Sequence, residues 1–154
     1  MPERQRILLV GSSGGHLTQL AALAPWWSQH TRAWVTFDTP DAVARLADEP
    51  DVTWAHHPTT RNLKNLARNT LLARTTMARF RPTVVISTGA GVALPFLALA
   101  RKQGVLTVYC EVYDRVESAT LTGRLSRPFT DLMLVQWQEQ AGLYRDSLVI
   151  GPVL

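Results

Sequence analysis

The sequence predicts an α/β protein with a doubly wound, mostly parallel sheet and helices on both faces. Short aliphatic runs alternate with helical segments along the whole chain of 154 residues, which is the pattern of repeated strand–helix units. Four of these runs are continuously apolar instead of alternating, which is typical of strands that are covered on both faces. Two of the runs end in glycine-rich turns that lead directly into helices. Together these observations favour an open sheet with a ligand site at one end.

The strands and helices follow each other in regular alternation. Strands are predicted at residues 7–11, 32–38, 52–56, 83–88, 105–110, 131–136 and 147–150. Helices are predicted at residues 15–29, 41–48, 62–81, 92–103, 118–127 and 138–144. Pro82 ends the longest helix because its ring fits poorly in a helix interior, and Gly104 marks the end of the next.

Length and composition favour one domain, residues 1–154, in a reducing setting. A chain of this size buries roughly 70% of its unfolded surface. The net charge of +4 comes mostly from arginine and fits an anionic ligand or membrane surface. Cys110 is the only cysteine, so no internal disulfide forms and a cytoplasmic location is expected. The apolar run that begins at residue 7 is too short for a signal peptide. Glycine and proline interrupt the uncharged segment 82–100, so a strand, a turn and a buried helix explain it better than a membrane span.

Three loops are expected to meet at the carboxyl edge of the sheet. Ligands of open parallel sheets bind where the strand order reverses, and the first, fourth and fifth strands should be neighbours there. Their loops are residues 11–16, 87–91 and 110–115. The first two are glycine-rich helix starts, where free backbone N–H groups favour an anion such as phosphate. Glycine turns also occur without ligands, and His16 could simply donate to a carbonyl. The convergence of three such loops favours a ligand site.

Familiar nucleotide and metal motifs fit poorly. The first loop lacks the Lys-Ser/Thr of a P-loop, and neither glycine loop reads G-x-G-x-x-G. Asp38, at the end of the second strand, keeps a dinucleotide-binding oxidoreductase fragment open as an alternative. His56 and His57 are adjacent and cannot share one face of a strand, so we expect no metal and no cofactor.

The long helix at residues 62–81 has two interpretations. Its apolar side is predicted to contain Leu63, Leu66, Thr70, Ala73, Met77 and Phe80, and its basic side Arg61, Lys64, Arg68 and Arg79. The simpler interpretation is a helix that packs on the core with a solvated basic face. The alternative is an element that lies on an anionic bilayer, with Leu72 contributing from the polar side.

Four segments of the chain resemble one family. They are ILLVGSSGGHLTQLAAL, RPTVVISTGAGVALPFLALA, VYCEVYDRVESATLTGRL and DLMLVQWQE, in this order from residue 7 onward. The chain is similar in them to the acceptor-binding half of split UDP-sugar glycosyltransferases. That family includes a membrane-associated subunit of the N-acetylglucosaminyltransferase of asparagine-linked glycosylation, and bacterial capsule and exopolysaccharide biosynthesis proteins.

The resemblance implies the Rossmann-like, N-terminal half of a GT-B glycosyltransferase, and it implies roles for particular residues. His16 or Glu111 would take the proton from the attacking hydroxyl. The acceptor phosphates would be held by Ser12, Ser13, Gly14, Gly15, Thr88, Gly89, Ala90, Gly91 and Arg115. The second interpretation of the long helix, in which Arg61, Lys64, Arg68 and Leu72 contact the membrane, would make this binding peripheral. The stretch at residues 136–139 fits the family, but no physical role beyond a possible interface follows from its sequence.

The function implied is transfer of a sugar, with inversion, from a UDP-sugar to a polyprenyl-diphosphate-linked saccharide in capsule or exopolysaccharide biosynthesis. A separate donor-binding subunit would complete a heterodimer at the cytoplasmic face of the membrane, and this chain alone would be inactive. We expect no nucleic-acid partner. Two alternatives stay open: the dinucleotide-binding oxidoreductase fragment, and a non-catalytic scaffold that recruits a partner enzyme to the membrane.

Overall fold

Seven parallel strands form one sheet in a computed structural model that describes residues 3–154; the first two residues of the predicted domain lie outside this range. The order across the sheet is β3-β2-β1-β4-β5-β6-β7, and every neighbouring pair is parallel. The strands are β1 (Arg6–Gly11), β2 (Thr31–Thr36), β3 (Val52–Trp54), β4 (Val84–Gly89), β5 (Leu106–Cys110), β6 (Leu132–Val135) and β7 (Leu148–Val149). The predicted neighbours β1, β4 and β5 are adjacent, and the strand order reverses at β1.

Within the described part of the chain, seven α-helices connect the strands. They are α1 (Gly15–Ala22), α2 (Ala24–Trp27), α3 (Pro40–Arg45), α4 (Leu63–Phe80), α5 (Ala93–Lys102), α6 (Leu121–Ser126) and α7 (Gln138–Ala141). The helix predicted at residues 15–29 is divided at Leu23, because Pro25 takes a first-turn position of α2 where its missing N–H costs no helical bond. The helix predicted at residues 118–127 begins later, because the Thr120 side chain caps it by accepting from the Gly123 N–H.

Helices pack on both faces of the sheet, as the continuous apolar strands predict, but on the side of α1 to α3 an apolar cavity of about 380 Å³ lies over β4, β5 and β6. Alternate residues of β1 enter different cores: Leu8 and Val10 pack on the side of α4 and α5, and Ile7 and Leu9 on the side of α1 to α3. All four are fully buried. Cys110 is buried at the end of β5, and burial followed by the charge of Glu111 raises the pKa of its thiol to about 12.

The buried face of α4 differs from the predicted one. Ala73, Met77 and Phe80 are buried as predicted, but Asn65, Asn69 and Thr76 are buried with them, and Leu63 is 81% exposed. The Asn69 amide accepts from the His56 N–H at 2.8 Å and donates to the His56 carbonyl at 2.9 Å. The Asn65 amide donates to the Pro58 carbonyl at 2.8 Å. Polar side chains occupy the buried face because backbone groups of the preceding loop satisfy them.

This rotation leaves leucines on the outer surface of α4. Leu63, Leu66 and Leu71 are exposed, whereas Leu72 is half-buried against the core beneath the helix. Leu72 packs part of its surface on this core, and its membrane contact stays a prediction. Within residues 3–154, every helix is too short or too polar to cross a membrane.

Candidate functional site

His16 and Thr88 join the first two predicted loops. The Nδ1 atom of His16 lies 2.8 Å from the backbone carbonyl of Thr88, and the Thr88 hydroxyl donates to the His16 carbonyl at 2.8 Å. His16 lies in the first turn of α1, just after β1, and Thr88 lies near the end of β4. The reciprocal pair therefore ties the two glycine loops together at the point where the strand order reverses.

The hydrogen bond of His16 fixes its tautomer. A carbonyl oxygen only accepts, so Nδ1 must carry the proton in this contact. In a neutral imidazole the other nitrogen, Nε2, then holds a free lone pair. Among residues 3–154, no side chain or backbone group forms a hydrogen bond with Nε2. The imidazole is half-buried, with Nδ1 turned toward the Thr88 carbonyl.

Thr88 has a different position from the one predicted. It is fully buried, and its hydroxyl is committed to the His16 carbonyl. The side chain cannot reach a bound phosphate in this arrangement, because no part of it is accessible. Thr88 is therefore a residue that positions His16, and its predicted contact with phosphate does not fit the structure.

The second loop depends on left-handed backbone conformations. Gly89 has φ of 118°, and Ala90 has φ of 67°. A Cβ atom on Gly89 would lie 2.6 Å from the Tyr109 hydroxyl and 3.3 Å from the His16 ring. Only glycine therefore fits between the imidazole and the tyrosine at this point.

In the first loop, a carboxylate already lies at a backbone amide. The Gly14 N–H donates to Oδ2 of Asp41, at the start of α3, at 3.2 Å. Gly14 and Gly15 are exposed, and the space next to both glycines is open. Asp41 shows that this loop offers a donor to an anion, as free amides at a helix start do. The sequence signal that could have identified Asp41 is its position after Pro40 in the first turn of a helix.

Glu111 is buried in a polar network and does not face a ligand site. It has no exposed surface, and its carboxylate accepts from the Thr120 hydroxyl and the Tyr144 hydroxyl. It also accepts from two backbone N–H groups, those of Val112 at 3.0 Å and Thr120 at 3.2 Å. Burial, and then the bond to Glu111, raise the pKa of Tyr144, so Tyr144 remains a donor. The predicted catalytic role of Glu111 does not fit this geometry, because its acceptor positions are occupied and out of reach.

A groove of about 650 Å³ lies beside these loops. It contains Gly91 from the second loop and Arg115 from the third, together with Arg61 before α4. The rest of its wall consists of Thr59, Thr60, Leu94, Thr120, Leu121, Thr122 and Leu125. A second cavity of about 160 Å³ shares Arg61, Gly91 and Leu94, and continues to Leu63 and Leu66. Sequence reasoning placed Arg61 on a membrane face, whereas the structure places it in this groove.

Two other predicted features have defined surroundings. The Asp38 carboxylate accepts from Nε2 of His57 at 2.8 Å, and this bond holds the pKa of Asp38 below its usual range. Lys64 and Arg68 are exposed on α4. The phosphate contacts predicted for Ser12, Ser13, Gly14, Gly15, Gly89, Ala90, Gly91 and Arg115 stay predictions.

The packing of α6 on the Glu111 network gives a stability prediction. A Cβ atom on Gly123 would lie 2.0 Å from the Tyr144 hydroxyl and 2.7 Å from a Glu111 oxygen. We expect Gly123→Ala to lower the free energy of unfolding by about 1–3 kcal/mol, the usual cost of overpacking. Gly142→Ala is the matched control, because its nearest neighbour would lie at an ordinary 3.6 Å. Urea unfolding measures both; equal stability of the two variants would contradict the packing described.

Comparison with known proteins gives relatives of one kind. A fission yeast (Schizosaccharomyces pombe) UDP-N-acetylglucosamine transferase subunit alg14 is 36% identical over 77 residues, which cover 47% of this chain and 37% of that protein. The mouse (Mus musculus) UDP-N-acetylglucosamine transferase subunit ALG14 is 24% identical over 183 residues, covering 99% of this chain and 84% of that protein.

Solved structures share the fold at low sequence identity. MurG from Acinetobacter baumannii superposes with a TM-score of 0.78 at 16% identity, over 96% of this chain and 45% of that chain. A UDP-N-acetylglucosamine 2-epimerase from Rickettsia bellii gives a TM-score of 0.73 at 11% identity, over 98% of this chain and 46% of that chain. The chain thus spans about half the length of these proteins, and the predicted Rossmann-like fold with a mostly parallel sheet is confirmed.

The family described as "Oligosaccharide biosynthesis protein Alg14 like" matches residues 55–153, well over half of the chain. These residues include the groove, the Glu111 network and the second and third loops. The family resemblance inferred from the four sequence segments is confirmed, and the chain belongs to the Alg14-like family of oligosaccharide biosynthesis proteins.

Proposed function

We propose that this chain is the acceptor-binding subunit of a two-component glycosyltransferase. The complex would transfer a sugar from a UDP-sugar to a polyprenyl-diphosphate-linked saccharide, in the assembly of a capsule or exopolysaccharide. UDP-N-acetylglucosamine, the donor in the names of the relatives, is the first donor to test. A separate subunit would supply the donor-binding half, because the relatives are named as subunits of a transferase. Family membership favours this function over a dinucleotide-binding oxidoreductase.

The groove is the observation that carries this proposal. Its lining includes two arginines, Arg61 and Arg115, and guanidinium groups suit the charge and the geometry of a diphosphate. The adjoining walls are rich in leucine: Leu94, Leu121 and Leu125, with Leu63 and Leu66 beyond. A ligand with an anionic head and a long apolar tail matches both parts, and a polyprenyl diphosphate has this chemistry.

His16 is the residue that we assign to the chemistry. The acceptor hydroxyl would attack the anomeric carbon of the donor sugar, and its proton would pass to Nε2 of His16. The bond from the anomeric carbon to UDP would break on the opposite side, so the configuration inverts and UDP leaves with the electron pair. The carbonyl of Thr88, bonded to Nδ1–H, stabilises the imidazolium that forms.

The outer surface of α4 is the proposed membrane contact. Exposed Leu63, Leu66 and Leu71 lie on the same helix as Lys64 and Arg68. Apolar side chains next to basic ones are typical of elements that bind anionic bilayers peripherally. This arrangement would place the open side of the groove at the cytoplasmic face of the membrane, where the acceptor's tail resides.

Replacement of His16 tests the catalytic assignment. We expect His16→Ala, in the complex with the co-expressed donor-binding subunit, to lower kcat by about 100- to 10,000-fold, because the general base is lost. Transfer from labelled UDP-N-acetylglucosamine to acceptor lipids in native membranes is the measurement. His30→Ala is the control, because His30 accepts only from Gln5 at the opposite edge of the sheet. Normal kcat in His16→Ala would remove His16 from the chemistry, and a non-catalytic scaffold predicts that result.

Replacement of the basic residues tests the membrane contact. Each lysine or arginine near an anionic surface contributes about 1 kcal/mol, so the double variant Lys64→Gln, Arg68→Gln should bind about 30-fold more weakly. Co-sedimentation with vesicles of phosphatidylcholine and phosphatidylglycerol measures this. The control double variant, Arg4→Gln, Arg145→Gln, removes the same charge from exposed sites away from α4. Equal weakening in both variants would show only a general charge effect and would contradict a specific contact.

A further inference from the structure

Three buried glutamines surround the third loop, and neither the sequence patterns nor the proposed chemistry explains them. Gln19 belongs to α1, Gln136 follows β6, and Gln140 belongs to α7. Their side chains are 4%, 1% and 0% exposed. Burial of an amide is costly unless its groups are paired, so three such residues in one place call for an explanation.

The glutamines hold the backbone of residues 111–115. Gln140 donates to the carbonyls of Val112 at 2.8 Å and Arg115 at 3.0 Å. Gln136 donates to the carbonyl of Glu111 at 3.1 Å, and Gln19 accepts from the Tyr113 N–H at 3.1 Å. The indole of Trp137 adds a fifth bond, to the Tyr113 carbonyl.

The glutamines are also connected to each other. Gln136 donates to the Gln19 side chain at 2.6 Å, and its backbone N–H donates to Gln140 at 2.7 Å. The backbone partners allow only one orientation of each amide, because carbonyls require the NH₂ side and N–H groups require the oxygen. The network is thus a continuous, uniquely oriented link from α1 through Gln136 to α7.

This link connects the two parts of the candidate site that have different proposed roles, the histidine at the start of α1 and the arginine of the third loop. His16 lies in the first turn of α1, one turn before Gln19, and Arg115 ends the loop that the glutamines hold. The contacts therefore fix the start of α1 and the arginine of the groove relative to each other. Loops without such contacts sample many conformations, and ordering them costs free energy at the moment of binding.

We propose that Gln19, Gln136 and Gln140 are positioning residues that set the place of Arg115 relative to His16, and so align the acceptor diphosphate with the base. The inference rests on the proposed function for the identity of the ligand, but the positioning itself is a property of the loop. It also assigns a role to the QWQEQ stretch, residues 136–140, which supplies three of the loop's partners.

The test replaces the amides by a side chain of the same length. Gln136→Met and Gln19→Met remove the hydrogen bonds and keep the volume, and Gln138→Met is the matched control because Gln138 is exposed at the start of α7, two residues after Gln136. Residue-resolved hydrogen exchange follows the Tyr113 N–H, which bonds directly to Gln19. We expect it to exchange about tenfold faster in both buried variants, with exchange in β1 and β4 unchanged. If Gln136→Met does not fold, Gln19→Met tests the same link from the other side.

Transfer kinetics of the complex provide the second readout. A displacement of about 1 Å costs up to about 100-fold in rate, so we expect a rise in the acceptor KM or a fall in kcat of about 10- to 100-fold. The KM for UDP-N-acetylglucosamine should stay within about twofold, since the donor is held by the other subunit. Unchanged Tyr113 exchange, or faster exchange throughout β1 and β4, would overturn the positioning role. An inactive wild-type complex would instead refute the proposed function, and the exchange result would still decide the inference.

Discussion

The reciprocal hydrogen bonds between His16 and Thr88 are the contact on which the candidate site depends. They join the ends of β1 and β4 at the reversal of strand order, where a parallel sheet leaves a crevice between its loops. One of them orients the imidazole, and the other ties down the backbone that carries it. Gly89 makes the approach possible, because any side chain there would meet Tyr109. A small change at this junction would displace the imidazole of His16 and both glycine loops together.

Buried polar groups, more than apolar packing, determine the shape of the site's other half. Glu111 accepts hydrogen bonds from Thr120 and Tyr144 and so fixes the start of α6. The three buried glutamines hold the backbone of residues 111–115, which precede this helix. Such networks stabilise one arrangement only when every member is satisfied, which makes them sensitive to single substitutions. A catalytic carboxylate and a structural one cannot be told apart by sequence. Here the Glu111 carboxylate is buried in a structural network, whereas the exposed Arg115, four residues later, lines the groove.

The order of strands and helices could be predicted from the sequence because it depends on local patterns: continuous apolar runs, and proline or glycine at the ends of elements. The meeting of the three loops could be predicted as well, since topology alone brings β1, β4 and β5 together. The buried face of α4 could not be predicted, because Asn65 and Asn69 are buried by hydrogen bonds to backbone groups of the preceding loop, and the hydrophobic pattern of the helix does not reveal these partners. The burial of Glu111 and Thr88 could not be predicted either, because it also depends on hydrogen-bond partners that the sequence pattern does not reveal. A polar residue can contact a ligand, or it can lie in the core with its hydrogen bonds made inside the protein. The spacing of residues in the sequence does not identify the partners that decide between the two.

The central claim is that this chain binds the acceptor's diphosphate and leaves the nucleotide to another subunit. Titration of the isolated, ¹⁵N-labelled chain with farnesyl diphosphate and, separately, with UDP-N-acetylglucosamine tests it most directly by NMR. The account predicts that farnesyl diphosphate shifts the amides of residues 12–16 and 89–91 and of Arg115, and that the nucleotide sugar leaves them nearly unchanged. Saturable shifts of these amides by UDP-N-acetylglucosamine, with none from farnesyl diphosphate, would contradict it.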